Sequence, residues 1–122
     1  MKAITVRQPW AGLIIDGLKF VENRPKPTLY RGPLLIHAGL RLDESQRASW
    51  APRSRHTEEV GVLLGTVEMI ECFEHYPSSW AVRGMSHWVL ADPRPFRQPI
   101  PWRGQQGFFE VPDRHLPLRA TR

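Results

Sequence analysis

The sequence predicts one α+β domain of about six short strands with two or three short helices beside them. Three observations carry this reading. The chain is 122 residues long, the length of a single domain. Short apolar or β-branched runs recur along it, each closed by glycine or proline. Few stretches have the capping residues of a helix rather than the flanks of a strand.

Residues 2–6 read as the first strand. Arg7-Gln8-Pro9-Trp10 then turns the chain, with Pro9 suited to a first helical turn. Residues 10–16 form a short helix, and Gly17 is its left-handed cap. Residues 20–24 are a second strand, broken by Pro25 and Pro27. Tyr30-Arg31-Gly32-Pro33 is a turn, and residues 34–38 are a third strand, apolar enough to be central. Asp43 and Gln46 have capping-box spacing and open a second helix that ends near Trp50, before Pro52. Residues 53–59 are polar and read as a mobile loop. Residues 61–73 make the longest strand, in which Gly65 signals a bulge or a close backbone approach. Residues 77–80 open a short helical turn. Residues 87–91 are another strand. The next stretch, 92–103, holds Pro93, Pro95, Pro99 and Pro101 and reads as extended with turns. Residues 107–111 are the last strand, and the tail 112–122 is irregular with a frayed end. There is no repeat, linker or low-complexity segment, so the whole chain, 1–122, is one domain.

Composition narrows the function classes. The hydrophobic fraction of 41% supports a small core, and five Trp with five Phe are too many for a disordered chain. No apolar run is long enough to cross a bilayer, and the N-terminus enters a strand pattern directly, so neither a membrane span nor a signal peptide is expected. The single cysteine, Cys72, excludes an internal disulfide and fits a cytoplasmic protein. Net charge is +5, and 14 of the 17 cations are arginine. Guanidinium groups pair bidentately with phosphate and stack on bases, which suits a nucleic-acid binder. A high arginine and proline content is equally what base composition or heat adaptation produces.

The densest charge lies in Gly17-Leu18-Lys19-Phe20-Val21-Glu22-Asn23-Arg24. Strand alternation puts Glu22 and Arg24 on one face with Phe20, and Lys19 with Val21 and Asn23 on the other. Lys19 sits where alternation has not settled, so it can swing toward Glu22. Two uses follow. In one, the three groups form a site: Glu22 accepts hydrogen bonds from a base edge, while Lys19 and Arg24 hold phosphate. A lysine desolvated beside arginine would also suit proton transfer or nucleophilic attack. In the other, the three are a surface salt-bridge ladder worth under about 1 kcal/mol.

Other residues divide in the same way. Trp10, beside Arg7 and Gln8, is either a stacking platform or core. Arg31 either contacts phosphate at a tight turn or closes that turn. His37, on an apolar strand, fits a satisfied core histidine better than a catalyst. The five histidines show no metal-ligand spacing, and no serine triad or phosphate-binding glycine loop is legible. No cofactor is predicted, and a divalent-metal requirement stays open.

With these residues in hand, the chain resembles the ASCH domain family of the PUA-like superfamily. Gly17, Lys19, Glu22 and Arg24 reproduce its G-x-K-x-x-E-x-R signature, and residues 7–10 and 30–38 also look like its N-terminal half. The resemblance implies a PUA-like small mixed β-barrel with flanking helices, and a cleft between barrel and helices that the signature residues face. It implies RNA, another nucleic acid or a nucleoside as partner, and the residues read above supply the expected contacts: Arg7, Gln8, Trp10, Lys19, Glu22, Arg24 and Arg31. It also implies an alternative, a hydrolase acting on RNA or on acylated cytidine, with Lys19, Glu22 and Arg24 catalytic. Members of the amidohydrolase type resemble one another in a threonine three residues after the motif lysine. This chain has Glu22 there, and Thr28 lies beyond the prolines. A water-based mechanism, with Lys19 and Glu22 moving protons and Arg24 stabilising negative charge, fits better.

Overall fold

The computed structural model describes residues 1–118. Six strands make one mixed sheet: β1 (Lys2–Gln8), β2 (Val21–Arg24), β3 (Gly32–Leu42), β4 (Val62–Phe73), β5 (Ser86–Pro101) and β6 (Phe109–Glu110). Helix α1 (Trp10–Ile15) follows β1, and α2 (Glu44–Trp50) follows β3. The strand order is β2-β5-β4-β3-β1-β6, with β1 parallel to β3 and the other pairs antiparallel. The backbone ladder leaves the sheet open, with β2 and β6 as its edges. The implied barrel is therefore realised as an open sheet, in which a side chain of the edge strand β2 reaches β1, as described below. Among the described residues no helix is long and apolar enough to cross a membrane.

The core follows strand alternation. On β3, Leu34, Ile36 and Ala38 face α1, where they meet Ile4, Val6, Ile14, Ile15 and Leu64. Leu35, between them in sequence, points to the other face, with Ala3, Leu63, Phe96 and Phe109. As expected, β3 is central, flanked by β1 and β4.

Helix α1 ends in a Schellman motif. The Leu18 N–H donates to the Leu13 carbonyl, the Gly17 N–H donates to Ile14, and Gly17 has φ +79°. The Lys19 N–H also donates to Leu13, so the chain doubles back sharply before β2 begins. Asp43 caps α2, its carboxylate accepting the Gln46 N–H at 3.3 Å.

Several expectations change. Arg7 and Gln8 belong to β1 rather than to a turn. Residues 53–59, expected to be mobile, are tied down. The Asp16 carboxylate, at the end of α1, accepts bonds from the Ser54 hydroxyl, the His56 N–H and His56 Nδ1. Ser54 and His56 are spent on these bonds, and Ser54 and Thr57 are buried. Residues 77–80 form only a turn, closed by the Ala81 N–H on the Ser78 carbonyl. The proline-rich stretch is no separate segment. It continues β5 as one long strand, pairing Pro95 with Gly65 and Pro101 with Val62. β2 covers only residues 86–89 of β5, so the prolines lie where that strand is an edge and an N–H is dispensable. Gly65 meets both expectations: Leu64 bulges from the β3 pairing, and a Cβ at Gly65 would lie 2.3 Å from the Arg94 carbonyl oxygen. The tail forms a 3-10 turn at Asp113–His115. The frayed end expected at 119–122 lies outside the described residues.

Candidate functional site at the Lys19–Glu22–Arg24 cleft

The turn at Gly17 brings Lys19 back over the start of β2. Its Nζ lies 3.8 Å from Glu22 Oε1 and donates to the Val21 carbonyl. Glu22 Oε2 accepts from Arg24 Nε at 2.9 Å, the two residues sharing one face of β2 as alternation predicts. A second guanidinium nitrogen, Arg24 Nη2, donates to the Thr5 carbonyl on β1 at 2.8 Å. One carboxylate is thus held between two cations.

Lys19 and Glu22 are 6% and 9% exposed, so this is no surface ladder. Yet the three residues line an open cleft of about 770 Å3, with Thr5, Arg7 and Trp10 on one side. The opposite wall is the segment 79–85, through Ser79, Trp80, Val82 and Met85. Asn23 fastens that wall to β2. Its amide donates to the Trp80 carbonyl, and its Oδ1 accepts from the Val82 N–H and from His87 Nδ1. The Trp80 ring lies 5.9 Å from Lys19 Nζ and 5.6 Å from the Trp50 ring of α2.

Burial lowers the proton affinity of Lys19. The Glu22 charge and hydrogen bond oppose this, and the Arg24 charge adds to it.

Of the residues expected to bind nucleic acid, Arg7, Trp10, Lys19, Glu22 and Arg24 meet at the cleft. Gln8 does not. It is 0% exposed, its Oε1 accepts the Gly12 N–H, and its Nε2 donates to the His56 and Glu59 carbonyls. Its amide locks α1 to the loop behind, with nothing left for a ligand. Arg31 is also elsewhere, donating to the Thr28 and Tyr30 carbonyls and facing Glu71 at 3.8 Å. Sequence reasoning missed Asn23 and Trp80 as parts of the site. The only local signal was an aromatic residue after a proline-serine turn. Among the described residues no three His, Cys, Asp or Glu side chains gather as metal ligands.

Comparison with known proteins agrees with the signature. The model of the ASCH domain matches residues 4–100. Activating signal cointegrator 1 of Homo sapiens is 35% identical over 80 residues, and that of Mus musculus 36%. Each match covers 57% of this chain but only 14% of the relative, so the chain spans a small part of their length. The crystal structure of ASCH from Zymomonas mobilis superposes with a TM-score of 0.60 at 16% identity, covering 93% of this chain and 89% of that one. At that identity the likeness concerns the fold. With the family model spanning most of the chain and the signature residues gathered in one cleft, the chain belongs to the ASCH domain family.

Proposed function

We propose that the protein binds single-stranded nucleic acid, RNA foremost, in the cleft around Lys19, Glu22 and Arg24. The observation that carries this reading is a largely buried carboxylate, flanked by two cations, at the floor of a solvent-reachable cleft. A pair kept only for stability gains nothing from an adjoining cavity, and a plain phosphate site has no use for a carboxylate. A nucleotide needs both. Glu22 accepts from an amine or amide edge of the base. Arg7, exposed at the rim, and the Nη1 edge of Arg24, which makes no hydrogen bond among the described residues, take phosphate. Trp10 and Trp80 offer aromatic faces for stacking, worth about 1–3 kcal/mol per base.

Binding of a labelled single-stranded RNA across a salt series tests this. Affinity should fall with salt, with a slope of about −0.7 per phosphate contacted, and Arg7→Ala, at an exposed position without an ion pair among the described residues, should weaken it at an unchanged melting temperature. No binding, or binding without a salt slope, overturns the reading.

One observation favours a second, hydrolytic reading. Burial eases the loss of the Lys19 proton beside a carboxylate, and such a pair can move protons on and off an attacking water. Arg24 would stabilise the developing negative charge. Incubation with single-stranded RNA and with acylated cytidine, with and without divalent metal, tests it by the products formed. Turnover that survives both Lys19→Ala and Glu22→Ala removes it.

A further inference from the structure

The cleft is not the largest hollow of the molecule. On the far side of Arg24 lies a groove of about 1110 Å3, walled by the end of β3 and by residues 101–107. The two hollows share Thr5, Arg7 and Arg24, so they meet along one line of guanidinium groups. The larger groove adds Arg41 and Arg103, both exposed, and the side chains of Gln105 and Gln106. No aspartate or glutamate lines it.

Part of that charge is uncompensated: Arg24 is paired with Glu22, and Arg7 lies near enough to Asp43 to add to the hydrogen bonds from Ser45 and Gln46 that hold its carboxyl down, but the two outer arginines stand apart. Arg31, Arg47 and Arg94 each face a carboxylate, but Arg41 and Arg103 have no ion pair among the described residues. Like charges gathered around a concave surface focus a positive potential there.

The groove is also built rather than incidental. Residues 102–105 pack directly on the sheet: a Cβ at Gly104 would lie 2.7 Å from Thr5 Oγ1 and 2.8 Å from His37 Cε1. The Gln105 N–H donates to Thr5 Oγ1, and His37 bonds the Trp102 carbonyl. His37 itself is sealed, 1% exposed with both ring nitrogens engaged, so the arginines and amides give the groove its polarity.

We infer that this groove carries the sugar–phosphate backbone of the strand beyond the nucleotide held in the cleft, Arg7 and Arg24 lying at the junction. The inference rests on the nucleic-acid reading of the cleft. Its basis is the division of labour between the hollows. The cleft holds the carboxylate acceptor that a base edge needs, and the groove holds guanidinium groups and neutral amides with no carboxylate, as phosphates need. An acidic peptide would also pair with Arg41 and Arg103, but it gives no reason for the groove to run into a base-sized cleft.

The experiment compares a 5′-mononucleotide with single-stranded RNAs of two to six nucleotides, each titrated into the parent, an R41A/R103A double variant and Lys19→Met. For the parent, affinity should climb over the first few added nucleotides. The double variant should lose that climb and show a salt slope shallower by about 1.4, or 0.7 for each phosphate contact removed. Its loss should be confined to the oligonucleotides. The inference is overturned if the climb persists in the double variant, or if mononucleotide and oligonucleotide weaken equally. It is also overturned if RNA length has no effect while an aspartate-rich peptide binds the parent and not the double variant. Mononucleotide binding that Lys19→Met abolishes, without any gain from length, defeats the groove and leaves the cleft reading standing. Failure of the parent to bind either ligand defeats both.

Discussion

Arg24 on β2 donates from Nη2 to the backbone carbonyl of Thr5 on β1, 2.8 Å away, joining strands that three others separate in the sheet. In a closed barrel a backbone ladder would run between such strands. Here one guanidinium spans the gap, and its Nε simultaneously holds Glu22. The arginine of the ligand cleft is therefore also a closure of the fold. The same side chain that reaches across to β1 lines the cleft beside it.

Arg24→Lys keeps the charge but not the fork. One ammonium cannot serve the Glu22 carboxylate and the Thr5 carbonyl in their present directions. Hydrogen bonds to charged groups contribute about 1.5–3 kcal/mol each, and Arg24→Lys should lose about one such bond in urea unfolding. A lysine variant as stable as the parent would show that the contact with Thr5 carries no weight.

Lys19, Glu22 and Arg24 should not be equivalent under mutation. Lys19→Met leaves the Glu22–Arg24 pair at 2.9 Å and removes a buried ammonium, so stability should change by no more than about 1 kcal/mol. Glu22→Gln leaves two cations facing each other with no anion between them. Breaking a buried pair in this way costs about 3–5 kcal/mol. The cost should ease with rising pH. Without Glu22, the burial that lowers the Lys19 proton affinity is less opposed. Below its ordinary value of 10.5, the unfolded lysine then binds more protons than the folded one, and stability rises with pH through that window. Chemical denaturation of both variants at pH 7 and pH 9.5 checks the order and the slope. Equal losses for the two variants would mean that Glu22 is not the keystone of the cluster.

The charged half of this site was legible because it is local. The spacing of Glu22 and Arg24 sets their common face, and the turn at Gly17 returns Lys19 to them. What was hidden depends on distant partners. Asn23 reads as an ordinary strand residue until the Trp80 carbonyl, 57 positions later, is found on its amide. Gln8 reads as a surface group beside a tryptophan, because its partners come from His56 and Glu59. Prolines at 93–101 argue against a strand, and only the shortness of β2 explains why the sheet tolerates them there. Arginine-rich composition could not say which guanidiniums are already spoken for, as Arg31 is by Glu71.

His37 ties acid stability to the wall of the larger groove. Its Nε2 lies 2.7 Å from the Trp102 carbonyl, which can only accept, so Nε2 carries the proton and Nδ1 accepts from the Thr5 hydroxyl at 3.1 Å. Burial pushes the imidazole below its ordinary 6.5, although the bond to Trp102 opposes the shift. Between the folded value and 6.5 the unfolded chain therefore binds more protons than the native one. The contribution of His37 is complete above pH 6.5 and is lost as pH falls through the folded value. Protonation makes Nδ1 a donor as well, so the Thr5 hydroxyl must turn and accept there instead of donating, beside a charge that burial disfavours. The parent should therefore lose melting temperature below pH 6.5, with faster amide exchange at residues 102–105. His37→Gln, less stable at pH 8, should lose less over the same acidification, because no proton enters at this position. Thermal unfolding of both proteins from pH 8 to pH 5 makes the comparison, and equally steep declines would clear His37 of any part in the acid response.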